Sequence, residues 1–134
     1  MREAGILTLM SKQTEEWFKQ AEYDLGTAEA MLRARRYIYA VFMCHLCLEK
    51  ALKGLLTKRE VIPPKSHDLV FLLEMIPNDI PDQYMEFLEM LNEVSVPTRY
   101  PEELDRLVAQ YPHKRTIEVV KQSKEVFGWL RHSL

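Results

Sequence analysis

The sequence has few cysteines and no long apolar run, and each shortage excludes a class of protein. Only 2 cysteines occur among 134 residues, which excludes a disulfide framework and favours a reduced interior. No apolar stretch approaches the length of about 20 residues that a membrane-spanning helix needs. The opening residues also lack the apolar length and cleavage site of a secretory signal. We therefore expect a cytoplasmic protein without membrane contact.

An excess of charge of either sign is also lacking. The chain has 18 lysines and arginines against 20 acidic residues, for a net charge of -2, so composition alone demands no nucleic-acid partner. Two local basic clusters are present, one at Arg33, Arg35 and Arg36 and another at Lys53, Lys58, Arg59 and Lys65. Such clusters can bind phosphates, although more often they are solvated helix ends.

A helical periodicity of apolar residues is the main pattern in the sequence. Apolar residues recur three and four positions apart from Trp17 to Leu32, which predicts a first amphipathic helix over residues 14 to about 35. Thr14, followed by two glutamates, has the character of a helix N-cap. We therefore expect residues 1–13 to form a loosely docked arm and residues 14–134 to form a single domain.

The next helix is predicted over residues 37–58, and its apolar residues wrap most of its circumference. Such a helix lies at the centre of a fold or is covered by a second subunit. Prolines then separate helices expected at about 67–76, 82–94 and 114–130, with a brief helical turn at 102–108. The pattern predicts an all-α fold, an up-and-down antiparallel bundle of four or five main helices.

Cys44, His45 and Cys47 are three potential metal ligands in one short stretch. A structural zinc site needs four ligands, commonly from two separated pairs, and the chain has no second pair. Both cysteines fall on the apolar face of the predicted helix, where cysteine packs as a small hydrophobe. We therefore predict no metal site here.

Asp24, Lys50, Lys53, Arg99 and Tyr100 are the candidates for a polar site. Asp24 falls within or beside the buried stripe, so its carboxylate needs a cation such as Lys50, Lys53 or Arg99. Arg99 and Tyr100 lie in an irregular segment, where a guanidinium can bind phosphate and a ring can stack on a base. The same residues could instead be ion pairs that only fix the helix register.

Two further polar residues belong to the same part of the chain. Glu49 and Lys53 lie one helical turn apart and could pair on the helix surface. His67, in the stretch "SHDL", is predicted to begin a helix and to pack against the preceding long helix. The charges of Glu49, Lys50 and Lys53 either serve a pocket shared with Asp24 and Arg99 or only hold the helices in register, and the sequence leaves both alternatives open.

Four stretches in this order resemble a HEPN domain over residues 17 to about 130: "WFKQAEYDLGTAEAML", "YIYAVFMCHLCLEKALKGLL", "PPKSHDLVFLL" and "TRYPEEL". The resemblance implies an antiparallel helical bundle that forms a homodimer through its central helices. It also implies a minimal nucleotidyltransferase as partner, in a toxin–antitoxin or resistance system, and no cofactor.

Many HEPN proteins are metal-independent ribonucleases whose motif is an arginine, four to six residues and a histidine. No histidine follows Arg99 at that distance, whereas six residues separate Arg106 from His113. We therefore expect a non-catalytic module that binds a nucleotide, RNA or a nucleotidyltransferase. The alternatives are a ribonuclease that uses Arg106 and His113, and a purely structural interaction protein.

Overall fold

The computed structural model describes residues 2–94 and 100–133, with side chains from residue 11 onward. These ranges contain six helices: α1 (Arg2–Arg33), α2 (Tyr37–Lys58), α3 (Leu69–Glu74), α4 (Asp82–Asn92), α5 (Pro101–Gln110) and α6 (His113–Ser133). No strand occurs in the described ranges, so the predicted all-α bundle is confirmed. None of the described helices combines the length and apolarity that crossing a bilayer requires.

A tight turn joins α1 to α2 and makes the two long helices antiparallel neighbours. The turn closes through backbone hydrogen bonds from Arg36 N to Met31 O at 2.8 Å and from Arg35 N to Leu32 O at 3.1 Å. Arg35 has a φ of 61°, a left-handed conformation that is common where a helix ends. The turn therefore presents its arginines at one end of the bundle.

α6 packs beside this pair and runs antiparallel to α1. Lys124 pairs with Glu29 at 3.0 Å and Arg131 pairs with Glu22, so the residue order is opposite along the two helices. α6 consequently runs parallel to α2, and its first residue lies near the first residue of α2. The α1–α2 turn and the start of α6 therefore share one end of the bundle.

α2 is the central helix, as its all-round apolar pattern predicted. Its largest fully buried side chains are Leu48, Leu52, Leu55 and Leu56, and it contacts every other helix. The short helix α3 begins at an N-cap supplied by Asp68, whose Oδ1 accepts from Phe71 N at 3.1 Å. Tertiary packing around α2 thus organises the whole domain.

Two boundary predictions were wrong. α1 begins at Arg2 rather than at Thr14, and the Thr14 hydroxyl is 2.8 Å from the Thr57 hydroxyl of α2 instead of capping a helix. The brief turn predicted at 102–108 is the longer helix α5. A threonine inside a helix resembles a cap in the sequence, because only its tertiary partner distinguishes the two roles.

Candidate functional site

The two cysteines of α2 belong to the core. Cys44 and Cys47 are fully buried and free. Burial raises the pKa of Cys44 to about 11 and also raises the pKa of Cys47, so both remain thiols near neutral pH. The prediction that these cysteines pack as small hydrophobes is confirmed.

Glu49 of α2 is a buried carboxylate with partners on two elements. Its Oε2 accepts a hydrogen bond from Lys53 Nζ at 3.1 Å. Its Oε1 lies 2.9 Å from Nδ1 of His67 in the connection before α3. The predicted contact of His67 with the second helix is confirmed, and so is the Glu49–Lys53 pair, but that pair is buried rather than on the helix surface.

Two neighbours complete the surroundings of this pair. The Lys53 ammonium lies 6.0 Å from the centroid of the Trp17 ring on α1. His45 Nδ1 lies 3.9 Å from Glu49 Oε1, and burial lowers the pKa of His45 although the charge of Glu49 opposes this shift. One carboxylate and one ammonium therefore offset each other inside the bundle, beside an imidazole that is mainly neutral at pH 7.

Asp24 finds its cation on α2, in a second and separate pair. Lys50 Nζ lies 2.8 Å from Asp24 Oδ2, and the two side chains are 20% and 10% exposed. The contact is an ion pair between a cation of α2 and a carboxylate of α1. A largely buried pair of this kind joins α1 to α2 and leaves little net charge for a ligand.

The five residues predicted to bind a ligand are thus divided. Asp24 and Lys50 meet each other, whereas Lys53 lies with Glu49. Tyr100 precedes α5 and is 76% exposed, and Arg99 lies outside the described residues. A ligand site made by these five residues stays a prediction, and both of its lysines already have carboxylate partners.

A different surface concentrates positive charge. We call it the basic end and define it by five exposed residues of the α1–α2 turn and the first turn of α6: Arg33, Arg35, Arg36, Lys114 and Arg115. No acidic residue occurs in residues 30–48 or 106–117. Glu29 and Glu118 lie one helical turn from Arg33 and Lys114, but the cations outnumber them, and an excess of cations produces a positive potential that attracts phosphates.

Tyr37 and His113 hold the two halves of the basic end together. Their ring centroids are 5.3 Å apart and their planes differ by 29°, a stacked arrangement. Tyr37 is half-buried, whereas His113 is exposed. An aromatic ring and an imidazole among cations are the groups that proteins use to bind the bases and phosphates of single-stranded nucleic acids.

The corner between α5 and α6 is itself well ordered by contacts. The Arg115 guanidinium lies 4.4 Å from the centroid of the Tyr111 ring, and its Nη1 donates to Gln110 O at 2.9 Å. Thr116 Oγ1 donates to Pro112 O at 2.9 Å. These contacts position His113 at the first residue of α6, with the exposed Arg106 on the preceding helix.

Sequence reasoning identified His113 and the three arginines separately but missed the contact between His113 and Tyr37. These two residues are far apart in the chain, and no spacing rule connects them. The signal available in the sequence was that neither residues 30–48 nor residues 106–117 contain an acidic residue. The packing of α6 on α2 is what converts two ordinary basic segments into one surface.

Comparisons with known proteins agree with this architecture. Residues 14–133 match the HEPN domain family. A candidate toxin of Methanocaldococcus jannaschii, MJ1304, is 27% identical over 140 residues, which span 92% of this chain and 89% of the relative. The crystal structure of TT1696 from Thermus thermophilus is 26% identical, has a TM-score of 0.79 and matches 91% of this chain and 98% of its own.

The crystal structure of ST0689, an archaeal HEPN homologue, shares the fold. Its TM-score is 0.72 at 24% identity, and the match covers 90% of this chain and 96% of that one. The family match runs from Thr14 within α1 to the end of α6. On that basis, the chain belongs to the HEPN domain family.

Proposed function

We propose that this chain is an RNA-binding HEPN protein of a toxin-type system and that the basic end is its RNA-binding surface. The observation that carries the proposal is the set of five exposed cations around the Tyr37–His113 stack, in stretches without acidic residues. Phosphate neutralisation by lysine and arginine supplies most of the affinity of nonspecific RNA binding. The archaeal relative named as a candidate toxin supports the toxin-type setting.

The buried ion pairs are less suited to this role. Lys50 and Lys53 lie 2.8 Å and 3.1 Å from carboxylate oxygens, so a phosphate would have to displace a partner that is already in place. Breaking such a pair leaves a buried charge uncompensated, which is costly. We therefore assign the Asp24–Lys50 and Glu49–Lys53 pairs to fixing the helix register, and RNA contact to the basic end.

Charge reversal tests this assignment. Fluorescence anisotropy with a labelled RNA of about 12 nucleotides should show that Arg35→Glu/Arg36→Glu binds at least about tenfold more weakly than the wild type. The matched control is Lys12→Glu/Lys65→Glu, which changes the net charge equally at exposed positions outside the basic end. Equal losses in the two double variants, or no loss in either, would contradict the proposal.

A second candidate function is RNA cleavage by Arg106 and His113. The observation that favours it is the exposed imidazole of His113 within the basic end. The imidazole would take the proton of a 2′-hydroxyl, the 2′-oxygen would attack the adjacent phosphorus, and the bond from phosphorus to the 5′-oxygen would break. The 5′-oxygen would take a proton from water, and the imidazolium would return its proton to water. The product ends are a 2′,3′-cyclic phosphate and a 5′-hydroxyl, and Arg106 would offset the phosphate charge.

Cleavage and binding are separable in one assay. The purified protein is incubated with end-labelled RNA in EDTA, and the product ends are identified by their reactivity. If the chain is a ribonuclease, His113→Ala abolishes the cyclic-phosphate product, and expression of the wild type without a partner gene arrests growth. Intact RNA and unimpaired growth would contradict the cleavage function and leave RNA binding as the only proposed function.

We also propose that the chain forms a homodimer through an open face of α2. Tyr39 is 50% exposed, and Phe42, Met43 and Leu46 on the same side of the helix are only partly buried. This partly uncovered face belongs to the helix whose all-round apolar pattern called for a covering partner. A minimal nucleotidyltransferase, implied by the family, remains the proposed protein partner, and co-elution with the product of a neighbouring gene tests it.

Light scattering after gel filtration tests the dimer. Leu46→Lys should convert the dimer to a monomer, because a charge would be buried at the proposed interface. Ile62→Lys is the control, since Ile62 is 85% exposed and lies outside this face. A wild-type monomer, or a dimer that survives Leu46→Lys, would argue against this interface.

A further inference from the structure

The exposed aromatic residues of this protein differ in the charge that surrounds them. Tyr23 and Tyr100 are 78% and 76% exposed, but Tyr23 has acidic residues on both sides in the chain, and two glutamates follow Tyr100 closely. These carboxylates would repel a phosphate backbone. The Tyr37–His113 pair, by contrast, lies between segments that contain cations and no acidic residue.

Other rings are already covered. The Tyr111 ring carries the guanidinium of Arg115, and the Trp17 ring faces the Lys53 ammonium. The Tyr84 and Trp129 rings meet edge to face. The stack at the basic end has a different form, since Tyr37 stacks on an imidazole that is itself exposed to solvent.

One chain neighbour of each ring is a cation. Arg36 precedes Tyr37 and Lys114 follows His113, and both residues are exposed. A base that stacks on His113 would therefore have a cation available from the start of α2 and another from the first turn of α6. That arrangement fits a strand whose phosphates flank one exposed base.

We infer that the Tyr37–His113 stack is a platform for one unpaired base of an RNA strand, whose adjoining phosphates contact Arg36 and Lys114. The inference rests on the proposed RNA-binding function and adds to it the class of RNA. A duplex presents its phosphates but hides the faces of its bases within the stack, whereas a single strand, a loop or a bulge can offer a face. The platform therefore favours unpaired RNA.

The test compares one RNA sequence as a single strand and as a blunt duplex, with 2-aminopurine at a central position. The wild type should bind the single strand about tenfold more tightly, and its binding should change the 2-aminopurine fluorescence of that strand. Tyr37→Leu/His113→Leu should lose both the preference and the fluorescence change while it retains duplex binding through the arginines. Circular dichroism confirms that the variants are folded.

His113→Phe separates stacking from proton transfer. A phenyl ring can stack but cannot exchange a proton, so this variant should keep the single-strand preference and the fluorescence change even if His113 is needed for cleavage. Equal affinities of the wild type for single strand and duplex would overturn the inference, and so would an unchanged preference in the double leucine variant. Failure of the proposed RNA-binding function can be told apart from failure of the stacking inference. If the basic end does not bind RNA, Arg35→Glu/Arg36→Glu leaves the affinity for both RNAs unchanged.

Discussion

At the scale of single residues, the buried charges of the bundle occur as ion pairs. Glu49 and Lys53 are 5% and 7% exposed, and each is the charge partner of the other at 3.1 Å. Taking a charge out of water is costly, and the partner offsets that cost only while both members are present. The pair is therefore expected to matter for stability far more than the exposed ion pairs do.

Glu49→Gln should lower the free energy of unfolding by about 3 kcal/mol, because it leaves the Lys53 ammonium buried without a carboxylate. The control is Glu29→Gln, which breaks the exposed pair with Lys124 and should cost about 0.5 kcal/mol. Urea denaturation measures both. Similar losses in the two variants would show that the buried pair contributes no more to stability than the exposed pair does.

His45 predicts how stability depends on pH. Burial lowers its pKa below the usual 6.5, while Glu49, His67 and Asn92 are the polar groups that face the ring. The unfolded chain therefore binds this proton at a higher pH than the folded chain. The contribution of His45 to stability is complete above about pH 6.5 and is lost as the pH falls below that value.

Unfolding measured between about pH 7 and pH 5 should accordingly show a smaller loss of stability in His45→Gln than in the wild type. The slope attributable to one group is at most about 1.4 kcal/mol per pH unit. His132→Gln, at an exposed position of α6, should leave the wild-type slope unchanged. Parallel slopes in all three proteins would contradict the role assigned to His45.

At the scale of helices, the close approach of α1 to α2 depends on Gly54. A Cβ atom built at this position would lie 3.0 Å from the Trp17 Cβ and 3.1 Å from the Phe18 ring. The Trp17 Cβ is attached directly to the backbone of α1, so it cannot rotate away from the contact. The two helices would have to move apart to accept even a methyl group.

Gly54→Ala is thus expected to destabilise the protein by about 1 kcal/mol, because overpacking outweighs the better helix propensity of alanine. Gly26→Ala and Gly128→Ala are matched controls, since a Cβ at either position meets nothing within 4 Å. Each should stabilise the protein by about 0.5 kcal/mol. Thermal unfolding compares the three, and a stabilised Gly54→Ala would refute the close packing.

At the scale of the whole molecule, a small net charge conceals an uneven distribution. Residues 66–105 contain 10 of the 20 acidic residues and Arg99 as their only lysine or arginine. The basic end combines two segments without acidic residues. Charge separation of this kind orients an anionic ligand and opposes binding at the acidic side.

RNA affinity should therefore depend on salt as if a positively charged protein were binding, although the net charge is -2. With about three phosphates neutralised at the basic end, raising monovalent salt from about 50 to 200 mM should weaken single-strand binding about 18-fold. Arg35→Glu/Arg36→Glu should flatten this dependence. Salt-independent binding in the wild type would show that phosphates are not the main contact.

Much of the fold was predictable from the sequence, and the reasons are local. The predicted bounds of α2, residues 37 and 58, are the observed ones. A long apolar helical pattern with a break on each side fixes where the helix begins and ends. The start of α1 was missed because the residues before Thr14 have a weaker pattern. α5 was underestimated because prolines flank it on both sides.

The candidate site was predictable only in part. The Glu49–Lys53 pair follows from helical spacing, and the pairing of Asp24 with a cation follows from its place on the buried stripe. Which cation Asp24 takes, and that both lysines are thereby neutralised, depends on how α1 and α2 pack. The basic end depends on α6 in the same way.

The sequence by itself determined the class of fold, the central helix, the core role of the cysteines and the resemblance to the HEPN family, because these depend on periodicity and on motifs within short stretches. Only the tertiary structure decided that His113 stacks on Tyr37 and that the arginines of the α1–α2 turn join the start of α6. Contacts between distant segments arise from the packing of whole helix faces, and no local spacing encodes them.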